Sequence, residues 1–157
     1  MLLQLCYASR RTEFQNDLLQ DLSEILAKAR AFNRSQNIYG VLYYAEGIYF
    51  QCLEGESEVV KALFDNIYKD SRHHDIHRFP DREIEKSHFS QWSMKYVNQH
   101  GKVAKFFEKR GFDHFVPHDL DSENVANLID LLFKLQASDE HAKNSIGLNN
   151  RGYQNFF

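Results

Sequence analysis

YGVLYYAEGIYFQCLEGESE, residues 39–58, decides how the rest of this chain is read. Two apolar runs flank the dipeptide Glu46-Gly47, the pattern of a β-hairpin with strands expected over 40–45 and 48–54. Gly55 is expected to break the second strand and Ser57 to cap a following helix. Inside that strand an amide, Gln51, stands between Phe50 and Cys52. A carboxamide at a half-buried strand position costs about 1–3 kcal/mol if its hydrogen bonds are not made. Some polar group has to meet it, and that group is where function should lie.

Upstream of the hairpin, residues 2–10 read as a short apolar strand ended by a charged turn. Leu18, Leu22, Ile25, Leu26, Ala29 and Phe32 then recur at three and four residues, an amphipathic helix. Asn16 is its expected cap, with Thr12 and Gln15 a weaker capping-box match, and it should stop near Asn33. Downstream, Val59, Val60, Leu63, Phe64, Ile67 and Tyr68 form one face of a second helix ending around Asp70. Strands are expected over 76–86 and 92–97, separated by SHFSQ. The order is a ferredoxin-like βαββαββ arrangement, an α+β fold: a split βαβ with an added strand and both helices on one sheet face.

Beyond Gln99, a short helix is expected over 103–109 and a clearer one over 124–135, capped by Asp121 or Ser122. This pair makes a small C-terminal helical appendage suited to covering the open sheet face. The chain divides into a domain over 1–97, a helical cap over 98–137 and a polar, aperiodic, flexible tail over 138–157.

A net charge of −3 and the absence of basic runs longer than two residues argue against direct nucleic-acid binding. Thirteen Phe, eight Tyr and one Trp suggest packed sheet faces able to accept a planar ligand. No run approaches the roughly 18 apolar residues that span a bilayer, and the apolar start is too short for a signal peptide. Cys6 and Cys52 fall inside strands and should be reduced core residues, so a soluble cytoplasmic protein is expected. The oligomeric state is expected to be monomer or weak homo-oligomer.

Strand alternation puts Tyr7 and Ser9 on one face, and Tyr49, Gln51 and Leu53 on one face of the third strand. In a split βαβ sheet strands one and three are neighbours, so Tyr7 and Gln51 can lie side by side. On spacing alone the favoured reading is simply a buried hydrogen bond that satisfies two core polar groups. Asn33, at the end of the first helix, adds a third polar group, or simply a helix-end residue making backbone contacts. DSRHHDIH, residues 70–77, raises metal binding, but adjacent His73 and His74 diverge and no Cys or Glu completes a set, so no metal is expected. There is no G-x-S-x-G elbow, no G-x-G-x-x-G and no P-loop.

LCYAS (5–9), DLSEILAKARAFN (21–33), IYGVLYYAEGIYFQCLEGE (38–56), DSRH (70–73) and FSQWSM (89–94) together, in that order, resemble the BLUF family of blue-light sensors using FAD. The resemblance covers residues 1 to about 97 and is strongest to short members, a sensor plus a helical cap with no fused effector. It implies an isoalloxazine ring between the two helices. Tyr7 would be the photochemical electron and proton donor, and Gln51 the amide linking Tyr7 to the flavin. Asn33 would bond the flavin carbonyl edge, Arg72 and His73 would sit at the pyrimidine end, and Asp70 near the polar edge. Ile25 and Tyr49 would pack on the ring, and Trp92 and Met94, expected on the last strand, would relay the signal. Tyr39, Ala29 and the pair Ser87-His88 depart from residues frequent in relatives, without touching Tyr7, Gln51 or Asn33.

The implied function is a non-enzymatic photoreceptor that changes its interaction with a cytoplasmic protein partner, such as a transcription regulator. Two alternatives stand beside it. One is an acylphosphatase-like enzyme, for which Arg10 and Arg11 lack a Gly-rich cradle. The other is a light-independent ligand-binding or interaction module on the same fold.

Overall fold

The computed structural model describes residues 1–13 and 17–137. The chain runs β1 (Leu2–Arg11), α1 (Leu18–Gln36), β2 (Tyr39–Ala45), β3 (Ile48–Glu56), α2 (Ser57–Tyr68), β4 (His73–Arg78), β5 (Arg82–Ile84), β6 (Lys95–Val97), α3 (His100–Lys109) and α4 (Ser122–Lys134), with a 3₁₀ turn at Pro117–Asp119. Strand order is β4-β1-β3-β2-β6, with β5 also paired to β1. The central β3 is antiparallel to both of its neighbours, β1 and β2, and β6 joins β2 in parallel. This is the expected α+β sheet with the split βαβ order.

The hairpin turn forms because Glu46 (φ 53°) and Gly47 (φ 82°) both take positive φ, the twist that suits a two-residue turn. α1 is capped by Asp17, whose carboxylate accepts the Gln20 N–H, and ends on Asn37 in the left-handed conformation. The expected cap Asn16, and Gln15 of the capping box, lie outside the described residues, as does the tail expected over 138–157.

Several boundaries move. Gly55 does not break β3 but pairs with Leu3 inside it. Ser57 is the first residue of α2, which has no side-chain cap. The strand expected over 76–86 begins at His73 and is split at Phe79-Pro80-Asp81 into β4 and β5, since proline supplies no N–H to a ladder. The strand expected over 92–97 is only Lys95–Val97, so Trp92 and Met94 precede it.

Alternation gives the sheet two cores. On one face Leu5, Leu42, Leu53 and Tyr49 pack with Leu22 and Leu26 of α1 and Val60 and Phe64 of α2. On the other, Val41, Tyr43, Phe50 and Cys52 pack with Val103 and Phe107 of α3 and Leu128 and Leu132 of α4. The helical appendage therefore covers the second face. Gly40 is required where it stands: a Cβ there would lie 2.1 Å from the Cys52 carbonyl oxygen.

Candidate functional site

Between α1 and α2, over the sheet, lies a cavity of about 320 Å³. Tyr7 reaches it from β1, Tyr49 and Gln51 from β3, Ile25 and Asn33 from α1, and Asp70, Arg72 and His73 from the turn after α2 and the start of β4. Eight residues singled out from sequence thus line one space. Lys28, Phe32, Leu63 and Asn66 line it too and were missed. Phe32 entered the helix pattern only as a core position, whereas it is 41% exposed at this cavity.

The register sets Tyr7 directly opposite Gln51. The Tyr7 hydroxyl donates to Gln51 Oε1 at 2.5 Å, both side chains being buried. Gln51 Nε2 faces only a soft acceptor, Met94 Sδ at 3.6 Å. Burial is the main reason the Tyr7 phenol is pushed far above its ordinary value, aided by Tyr49 and Asp70. Tyr7 therefore holds its proton firmly and stays a donor.

Asn33 Nδ2 donates to the Ser93 carbonyl at 2.8 Å, tying α1 to the segment before β6. Among the described residues, Asn33 Oδ1 and the Tyr49 hydroxyl are buried without a hydrogen-bond partner. Unpaired polar atoms of this kind are costly unless something else meets them. An amide oxygen and a phenol facing an apolar, aromatic-lined space suit a planar ring bearing its own N–H and carbonyl groups, so the residues present fit a flavin.

At the cavity's polar end, Arg72 donates to Asp70 through Nη2 (2.7 Å) and Nε (3.1 Å), and its backbone N–H adds a third bond. These bonds from Arg72 hold the Asp70 carboxyl below its usual range. His73 is fixed by Ser9 Oγ and by the Ile67 carbonyl, each at 2.7 Å. A carbonyl can only accept, so Nε2 carries a proton and donates to Ile67; in the neutral imidazole Nδ1 then accepts from the Ser9 hydroxyl. Burial lowers the His73 pKa in keeping with that.

Met94 is buried against Gln51, on the cavity side of the sheet. Trp92 packs on the opposite core, against Phe133 and over the Lys95 ammonium (4.3 Å to the ring centre). The structure thus separates the two residues expected to act together. His88, one of the departures from the family pattern, is explained here. With the Phe89 N–H, its N–H and ring bind the fully buried Glu54 carboxylate. Among the described residues no His, Cys, Asp and Glu group is arranged to hold a metal ion, and no helix is long and apolar enough to cross a membrane.

The BLUF family, described as sensors of blue light using FAD, matches residues 2–95. The photo-activated state of BlsA, a BLUF protein of Acinetobacter, is 44% identical and covers 88% of this chain and 99% of its own, with a TM-score of 0.86. The BlsA ground state matches at 42% identity over 96% of this chain and 100% of its own, also with a TM-score of 0.86. The dark-state structure of BlrB, another BLUF protein, is 29% identical over 84% of this chain and 95% of its own, with a TM-score of 0.71. Photoactivated adenylate cyclase subunit beta of Euglena gracilis is 34% identical over 93 residues, 57% of this chain. The chain spans 10% of that cyclase subunit's length.

Proposed function

The chain belongs to the BLUF family, sensors of blue light using FAD, and from that premise we propose a photoreceptor switched by the Tyr7–Gln51 pair. The observation that carries this reading is the buried hydrogen bond from the Tyr7 hydroxyl to Gln51 Oε1 on the cavity wall. FAD supplies the light absorption and, once excited, the oxidant. Tyr7 would be the electron donor to that group, and its phenol, a very weak acid at rest, would become a strong one on oxidation. The proton follows the existing bond to Gln51 Oε1. Gln51 then rotates or changes tautomer, offering a donor where it had offered an acceptor. Rotation gives up the bond between Tyr7 and Oε1 and, at Nε2, only the weak contact with Met94 Sδ. Return of the electron and proton would restore Tyr7, leaving the rearranged Gln51 amide as the lasting change.

The remaining cavity residues bind and orient. Asn33 Oδ1 would accept an N–H of the flavin, and Ile25 and Tyr49 would pack against its ring. His73 and the Asp70–Arg72 pair hold the polar end. A bond change of about 1 kcal/mol at Gln51 is enough to bias the adjoining segment between two packings. That segment carries Ser93, bonded to Asn33, Met94 on the cavity side and Trp92 on the far side. The output is altered binding to a cytoplasmic protein partner, such as a transcription regulator, with no catalytic step.

The test is an absorption spectrum of the FAD-loaded protein in darkness and after blue light. A small red shift that recovers in the dark is expected. Tyr7→Phe and Gln51→Leu should still bind FAD and lose the shift; a normal shift in either variant assigns the switch elsewhere.

A further inference from the structure

Strand β4 carries one residue more than its partner can pair. Tyr7 pairs with Arg78 and Ala8 with His77, but Arg10 pairs with His74 and Arg11 with His73. Ser9 therefore faces two residues, Asp75 and Ile76, the pattern of a β-bulge. Asp75 takes φ 53°, a left-handed conformation that Asp adopts more readily than most side chains. One inserted residue reverses the face that every side chain beyond it meets. Arg78 lies over Phe64 on the cavity side of the sheet, and strict alternation from there would turn His73 to the opposite side. The bulge instead sets His73 opposite Arg11, which bonds Asp21 of α1. His73 thus reaches the cavity wall, its ring centre 6.1 Å from that of Tyr7.

Two contacts hold the bulge. Arg10 Nε donates to the Asp75 carboxylate at 2.8 Å, but both side chains are about half exposed and such pairs contribute little. The second contact comes from the C-terminal appendage. His118, in the 3₁₀ turn between α3 and α4, donates from Nε2 to the Asp75 carbonyl at 2.9 Å, since a carbonyl can only accept. The His118 ring is largely shielded and sits beside His77. Its Nδ1 is buried with no hydrogen-bond partner among the described residues, so the ring is committed to the bulge.

We propose that His118 is a positioning residue for the flavin site: by holding the Asp75 bulge from the appendage, it keeps His73 turned into the cavity. The appendage then shapes the cavity at the sheet edge as well as covering the opposite face. This rests on the reading that the cavity takes FAD, and it concerns binding rather than the Tyr7–Gln51 switch.

The test is a double-mutant cycle on the full chain, read as the Kd for FAD by titrating flavin-free protein. His73→Ala and His118→Ala should each weaken binding about 3- to 10-fold, and the double variant should bind no more weakly than His73→Ala alone. His118→Gln, whose amide can donate to the same carbonyl, should recover most of the affinity. Asp75 supplies a second pair of variants. Asp75→Gly accepts the positive φ and should bind FAD like the wild type, whereas Asp75→Val disfavours it and should weaken binding only while His73 is present. Additive losses overturn the proposal. So does a His118→Ala variant with a lower urea midpoint and an unchanged Kd, which would make His118 a fastening of the sheet edge only. In flavin-free wild type the His73 side-chain ¹⁵N signals should report one fixed tautomer, and in His118→Ala they should average; a fixed tautomer in both also overturns it. A wild type that took up no FAD would refute the reading of the cavity and leave this NMR comparison to decide the role of His118.

Discussion

Gln51 sits between unequal partners, a short bond from the Tyr7 hydroxyl and a weak contact with the Met94 sulfur, and that inequality is what makes it suited to switching. Asn33 is also two-ended: Nδ2 is committed to Ser93, whereas Oδ1 has no partner among the described residues. Asn33→Ala should therefore weaken FAD binding by about 1–3 kcal/mol, roughly 5- to 150-fold in Kd, measured by titrating flavin-free protein with FAD. His73 gives a pH prediction. Its folded pKa lies below the ordinary 6.5, chiefly through burial, so the unfolded chain takes up a proton that the folded imidazole refuses. Its contribution to stability is full above 6.5 and is lost as pH falls through the lower folded value. An NMR titration should find the His73 midpoint below 6.5, and a midpoint at or above that value would contradict the neutral bridge between Ser9 and Ile67. Tyr7 beside Gln51 was legible in the sequence, because strand alternation and the split βαβ order are both local rules. The orphaned Tyr49 hydroxyl was not legible, since whether a phenol finds a partner depends on distant residues.

Elements were legible where periodicity is strong and blurred where one residue redirects the backbone. α1, α2 and α4 follow their apolar repeats. Pro80 divides a single expected strand into β4 and β5, a proline effect visible in the sequence but overridden by the apparent length of the run. The segment between β5 and β6 has little regular structure to hold it, and Glu54 compensates. The buried Glu54 carboxylate accepts from the His88 N–H at 2.7 Å, the Phe89 N–H at 2.9 Å and Gln4 Nε2 at 2.9 Å. Glu54→Ala removes all of these acceptors at once and should cost about 3 kcal/mol, read from urea unfolding. Because the same segment leads to Met94 and Trp92, the variant should also change the rate of dark recovery. Gly40→Ala tests the backbone directly. The added methyl meets the Cys52 carbonyl, with Met94 Cε at 3.3 Å, so β2 and β3 must separate beside Gln51 at a cost of about 1–3 kcal/mol or more.

At the scale of the whole molecule, one sheet separates the cavity from the helices α3 and α4, and adjacent residues of β3 face opposite ways. Gln51 turns to the cavity, while Phe50 and Cys52 turn to the core covered by α3 and α4. The relay residues divide in the same manner, with Met94 on one side and Trp92, stacked near Lys95 and Phe133, on the other. A shift in the 92–94 segment thus has a direct path to the last turn of α4, where Lys95 Nζ holds two carbonyls. The same architecture limits how independent a photosensor ending at residue 97 can be. Without α3 and α4, the fully buried Val41, Phe50, Cys52 and Phe89 would lose their cover. An apolar face of that kind drives association. A chain ended after Val97 should therefore aggregate or elute as large assemblies in size-exclusion chromatography, even with excess FAD. Ending the chain after Ala137 should leave it folded and able to show the light-induced shift, because both cores remain intact. If the 97-residue fragment instead ran as a monomer with a normal shift, α3 and α4 would be dispensable to the sheet, and their packing would have to be explained by signalling alone.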